Sequence, residues 1–223
     1  MVSEKSSGQT SHTFQAEVTK SVSLDYLLFL PGEYASQTDP WPLIFFLHGA
    51  GERGNDVQMV KKHGPPQIVE TQDDFPFVVI SPQCPEDQWW KSGALIALLD
   101  DVVANHNIDE DRIYLTGLSM GGFGTWMAAT ENPDRFAAIA PICGGGLRIG
   151  MRRTTHLPTW VFHGAKDTVV PIDESQRLVD RLKSLDGNVK FTIYPDAKHN
   201  SWTDTYNNPE LYDWFLSHRR RAR

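Results

Sequence analysis

Residues 112–126 read Arg-Ile-Tyr-Leu-Thr-Gly-Leu-Ser-Met-Gly-Gly-Phe-Gly-Thr-Trp, an apolar run that stops in a glycine-rich turn and resumes as a helix. Ile113, Tyr114 and Leu115 predict a buried strand, while Thr125 to Thr130, free of Gly and Pro, predicts a helix. Between them lies Gly117-Leu-Ser-Met-Gly121, the pattern G-x-S-x-G. A strand that turns so sharply into a helix strains the backbone of its central serine and leaves little more than a hydrogen's room at the flanking positions. Gly117 and Gly121 meet that need. The turn lifts the Ser119 hydroxyl clear of the sheet and sets the Met120 amide at a helix N-terminus, where an unpaired N–H can face a developing negative charge. Ser119 is therefore a candidate nucleophile. Three fixed positions match by chance in about one chain in fifteen of this length, so the preceding strand and following helix are what make the pattern informative.

The flanking chain supplies a frame for such a turn. Thr13 to Thr19 and Leu24 to Leu30 predict two strands forming an antiparallel pair. Leu43 to Leu47 is a continuous apolar run, the signature of a strand buried on both faces of a parallel sheet, and it ends at His48-Gly-Ala-Gly51. Phe77 to Ile80, Phe136 to Ile142, Thr159 to Phe162 and Val189 to Tyr194 predict further strands, with helices over Ala94 to Asn105, Ser175 to Leu185 and Glu210 to Arg220. This alternation predicts an α/β domain whose mostly parallel sheet is covered by helices on both faces. Residues 1–11 are polar and expected to be disordered, leaving residues 12–223 as one domain.

A nucleophilic serine needs a base to take its proton and a carboxylate to orient that base. In an open parallel sheet such groups gather beyond the carboxyl ends of the strands. Asp167 follows the strand Thr159 to Phe162, and His199 follows Val189 to Tyr194, giving the chain order Ser119, Asp167, His199. Rivals have plainer readings. Of the eight histidines, His163 reads as structural and His48 as shaping its loop, while His12, His63, His106, His156 and His218 have no strand-end context. Asp173 suits a helix N-cap and Asp196 opens a Pro-Asp turn. Trp89, Trp90 and Trp202 are possible pocket walls, with core packing as the competing reading, and Arg53 is a possible partner for an anionic group.

With this order and this turn, the chain resembles the α/β-hydrolase superfamily along nearly its whole length. The most specific parts are Gly117-Leu-Ser-Met-Gly-Gly122, His48-Gly-Ala-Gly-Glu-Arg-Gly54, His163-Gly-Ala-Lys-Asp167 and Lys198-His-Asn-Ser-Trp202. Within the superfamily it is similar to compact serine esterases of the phospholipase/carboxylesterase and dienelactone-hydrolase-like branch, some described as predicted peptidases. The resemblance implies Ser119 as nucleophile, His199 as base, Asp167 as orienting acid, and the amides of Ala50 and Met120 as an oxyanion hole. It implies a serine carboxylesterase without cofactor, acting on small soluble carboxylic esters. Only some dozen residues join Gly144 to Leu157, where larger relatives insert a cap, so a capless, open site favouring short or bulky soluble esters over long acyl chains is expected. A peptidase or amidase with the same triad is the alternative, although peptidases of this superfamily usually carry a further domain. A binding protein on a hydrolase scaffold is the rival from another class, and such proteins usually lose a triad member. Dienelactone-type enzymes would place Cys at position 119.

Composition narrows the partners. The net charge is −7 with scattered acidic residues, which offers no footprint for nucleic acid, and the basic cluster Arg219-Arg-Arg-Ala-Arg223 reads as a solvated helix end. No run reaches the length of a membrane span, and the first thirteen residues contain no apolar signal core. The expected location is the cytoplasm unless a signal was removed, and the oligomeric state is left open. Neither cysteine lies in a Cys/His cluster, so no metal is expected. Cys84 and Cys143 follow strands that the family's strand order separates by two others, or about 14 Å, twice the reach of a disulfide. Both thiols are therefore expected to be free.

Overall fold

The computed structural model describes Gln9 and residues 11–220. Seven strands form one sheet: β1 (Tyr26–Phe29), β2 (Trp41–Leu47), β3 (Val78–Pro82), β4 (Ile108–Leu118), β5 (Ala138–Ile142), β6 (Thr159–Gly164) and β7 (Val189–Tyr194). Their order is β1-β3-β2-β4-β5-β6-β7. β1 runs antiparallel to β3 and every other neighbour is parallel. After β2 the chain steps outward to β3, then crosses back to place β4 on the other side of β2. That reversal opens a crevice beyond the carboxyl ends of β2 and β4.

Every residue of β2 and β3 is buried, as their unbroken apolar runs require. Helices α2 (Ser92–Asn105), α3 (Met120–Glu131) and α4 (Asp173–Lys183) cover one face, burying Leu99, Trp126 and Leu178. The short helices α1 (Pro65–Ile68), α5 (Trp202–Tyr206) and α6 (Pro209–Leu216) cover the other, where Tyr206, Leu211 and Phe215 pack against Tyr114 and Phe162. The β5–β6 connection holds a single 3₁₀ turn, Arg148–Arg153, and no inserted domain. No helix among the described residues is long and apolar enough to cross a membrane.

Several expectations are corrected. Thr13 to Thr19 forms no strand: it is exposed throughout, with Phe14 at 90% and Val18 at 75%, so its alternating pattern finds no surface to bury. The expected hairpin is thus absent, and the second segment pairs as β1 with β3 instead. Asp173 is the first residue of α4 and not its N-cap, a place where its charge still meets the helix dipole favourably. The last helix stops at Leu216, short of the expected Arg220; beyond it the still exposed Arg219 and the half-buried Arg220 pair with Asp109 and Asp111, and residues 221–223 of the basic cluster lie outside the described residues. The segment expected to be disordered lies, apart from Gln9 and Ser11, outside the described residues.

Candidate active site

Ser119 is the turn between β4 and α3, with φ 53° and ψ −117°, a strained conformation for a residue with a side chain. Close packing enforces it. A Cβ on Gly121 would stand 1.9 Å from the Leu47 carbonyl oxygen, and one on Gly117 2.5 Å from that of Gly121. β4 and α3 therefore wedge directly against the end of β2, and the serine projects into the crevice.

The two later loops deliver their side chains to the same place. The Ser119 hydroxyl lies 3.0 Å from His199 Nε2, and His199 Nδ1 lies 2.7 Å from Asp167 Oδ2. With the proton on Nδ1 donated to the carboxylate, Nε2 is left as acceptor for the serine hydroxyl. Asp167 has its side chain fully buried. Burial pushes its carboxyl upward, but hydrogen bonds from His199 and from the Val170 and Val169 amides outweigh it and hold the group below the usual carboxylate range. A permanent anion so placed stabilises an imidazolium at His199. Of the rivals, Asp196 is exposed and paired with Lys166 at 2.6 Å, whereas His163 is buried beside the same carboxylate, its Nε2 3.3 Å from Asp167 Oδ2, with its ring nitrogens bonded to Ser175 and the Val170 carbonyl at 2.8 and 2.9 Å.

Ala50 and Met120 each begin a helical turn, where the amide N–H has no acceptor within its own helix. The loop carrying Ala50 is tied down from several sides. Cys84 N donates to His48 Nε2 at 2.9 Å, and Gln83 Nε2 donates to the Glu52 and Asp56 carbonyls at 2.8 and 2.9 Å. Arg53 donates through Nε to the Ala50 carbonyl and through Nη1 to the Gln88 carbonyl, which ties it to the loop. The bracing by the Gln83 side chain and the Cys84 amide escaped the reading of the sequence because nothing local marks a group that braces a loop some thirty residues away.

The tryptophans divide. Trp90 is buried, packs edge-on against His48 at 4.9 Å and donates to its carbonyl. Trp202 is half-buried between two imidazoles, 5.3 Å from His199 and 5.5 Å from His63. Trp89 is exposed and meets Phe123 at a right angle. Beside Trp89 and Phe123 runs an apolar groove of about 370 Å³ along the outer face of α3.

Cys143 is a further neighbour of the site. Its Sγ lies within 4.8 Å of ligand atoms of both Asp167 and His199, in a residue with φ 39°. Burial pushes its thiol up to about 12, so it packs there as a neutral side chain and offers no thiolate nucleophile. Both thiols are free, and β2 and β4 lie between their strands.

Residues 75–208 match the model of the phospholipase/carboxylesterase family. A thermostable esterase of known structure superposes with a TM-score of 0.78 at 37% identity, covering 88% of this chain and 60% of its own. A bifunctional acetylxylan esterase/xylanase of Neocallimastix patriciarum is 28% identical over 85% of this chain and 28% of its own length. Probable feruloyl esterase C of Aspergillus terreus is 25% identical over 73% and 62%. The chain thus spans less than two thirds of each of these relatives.

Proposed function

Since the chain belongs to the phospholipase/carboxylesterase family of α/β-hydrolases, we propose that it is a serine carboxylesterase acting on small soluble carboxylic esters. The observation that carries this reading is the hydrogen-bonded line from Asp167 through His199 to Ser119 at the apex of its strained turn. As the Ser119 oxygen bonds to the ester carbon, its proton passes to His199 Nε2, and the negative charge on the carbonyl oxygen faces the Ala50 and Met120 amides. The carbon–alkoxy bond then breaks, and the alkoxide leaves with the proton from His199. Water, deprotonated by the same nitrogen, attacks the acyl-serine; the bond from the acyl carbon to the Ser119 oxygen breaks, that oxygen takes the proton back from His199, and the acid is released.

The names of the acetylxylan and feruloyl esterases among the relatives agree with small ester substrates. An amidase using the same triad would have to protonate an amine leaving group, so p-nitrophenyl esters tested beside a chromogenic peptide separate the two activities. The test of the nucleophile is covalent labelling by a fluorophosphonate. Wild-type protein should label and Ser119→Ala should neither label nor retain more than a trace of esterase activity, since triad members act as a unit. Persistent labelling of a folded Ser119→Ala protein overturns the assignment.

A further inference from the structure

We propose that the groove along α3 is the acyl subsite of this esterase and that it takes a planar aromatic ring joined to the carbonyl by a short linker. This rests on the serine-esterase reading. The groove begins one helical turn from the nucleophile: Phe123, on its wall, donates its amide to the Ser119 carbonyl at 3.0 Å. Trp90, on the same wall, donates to the carbonyl of His48 at the start of the oxyanion loop. Its volume of about 370 Å³ falls in the range of small-molecule sites.

The lining favours a flat ring over a flexible chain. Trp89 and Phe123 meet at 88° with centroids 6.0 Å apart, so a ring stacked on one presents its edge to the other, the two arrangements aromatic quadrupoles prefer. Bare backbone brings these walls close. A Cβ on Gly124 would lie 2.7 Å from Trp90 and one on Gly145 2.8 Å from Phe123. Trp89 and Leu147 of the lining are 59% and 77% exposed, so apolar surface of the groove is open to solvent, with Glu131 and Arg177 also lining it.

The two faces of the sheet assign the groove to the acyl side. His199 must protonate the leaving alkoxide, so the alcohol part lies toward His199 and its neighbour Trp202, which packs with the core on the α5–α6 face. Trp90 and Met127 of the groove pack with the core on the α2–α3 face. Ser119 sits between them, and the acyl part extends away from the base into the groove.

The experiment compares p-nitrophenyl 3-phenylpropanoate, acetate and octanoate, which share one leaving group, on wild-type protein and on Trp89→Ala and Leu147→Ala. In the wild type, kcat/KM for the phenylpropanoate should exceed that for the acetate by about tenfold or more, and Trp89→Ala should lower that ratio about tenfold. Leu147→Ala, at a more exposed position, should lower it in the same direction. A ratio unmoved by both substitutions, or an octanoate turned over as well as the phenylpropanoate, overturns the proposal. Fluorophosphonate labelling of the same samples separates the two readings: absent labelling in the wild type sinks the serine mechanism, whereas intact labelling with an unmoved ratio sinks only the groove.

Discussion

At the residue scale, the carboxylate offers the sharpest test. Asp167 holds His199 in the tautomer that leaves Nε2 free for the serine, so Asp167→Asn should lower kcat by about 10⁴-fold, the loss seen when serine proteases lose the corresponding charge. Asp196→Asn, at an exposed ion pair, and Asp173→Asn, in the first turn of α4, should change kcat far less. Greater damage from either at unchanged stability would transfer the role. The Trp202 ring stands perpendicular to the His199 imidazole at 5.3 Å, a contact that should limit that ring's rotation. Trp202→Ala should lower kcat by up to about 10²-fold with KM little altered, and Trp202→Phe should restore most of the loss, because orientation is what is removed. A rise in KM with kcat intact would return Trp202 to the substrate pocket. Ser119, Asp167 and His199 could be singled out in the sequence because each lies at or just beyond the end of a strand-like run, whereas the orientation of Trp202 against His199 has no local signature.

At the scale of elements, the end of β2 is the most demanding piece of the fold. His48 is buried, and burial pushes its imidazole down to about 4, partly offset by the Gly49 carbonyl. The folded protein therefore leaves His48 neutral between pH 6.5 and 4, while the unfolded chain takes up a proton there. Its stability contribution is complete above about pH 6.5 and is lost as pH falls toward 4, amounting to about 2 kcal/mol between pH 7 and pH 5. Urea unfolding at the two pH values should show that loss, and His48→Gln should show a correspondingly smaller one. An unchanged slope in the variant would mean that His48 is not the group concerned. The neighbouring contact of α3 with β2 allows no relief: Gly121→Ala puts a methyl 1.9 Å from the Leu47 oxygen and should yield protein that does not fold. The need for Gly at 117 and 121 was readable from the turn itself. The failure of Thr13 to Thr19 to become a strand was not, since alternation describes a surface and does not reveal whether another surface covers it.

At the scale of the whole molecule, strand order decides what can meet. Cys84 and Cys143 are buried and unpaired, so alkylation should spare both in the native protein and modify both after unfolding without reductant; a bridge between them would contradict the order β3-β2-β4-β5. The sequence by itself determined the elements with short-range signatures: the apolar runs of β2 and β4, the glycines that a strained serine turn requires, and the Ser, Asp and His placed at strand ends. These show as patterns over a few neighbouring residues, even where the contact that demands them is distant, or follow from the rule that functional loops gather at one edge of a parallel sheet. The tertiary structure alone decided how Gln83 and Cys84 brace the loop carrying Ala50, how Cys143 comes to lie beside Asp167 and His199, and how Trp89, Phe123 and Leu147 enclose a groove. Each of these joins segments tens of residues apart, and their adjacency follows from the crossover that carries the chain from β3 over β2 to β4 and from the packing of helices on the two faces, which no local pattern of residues encodes.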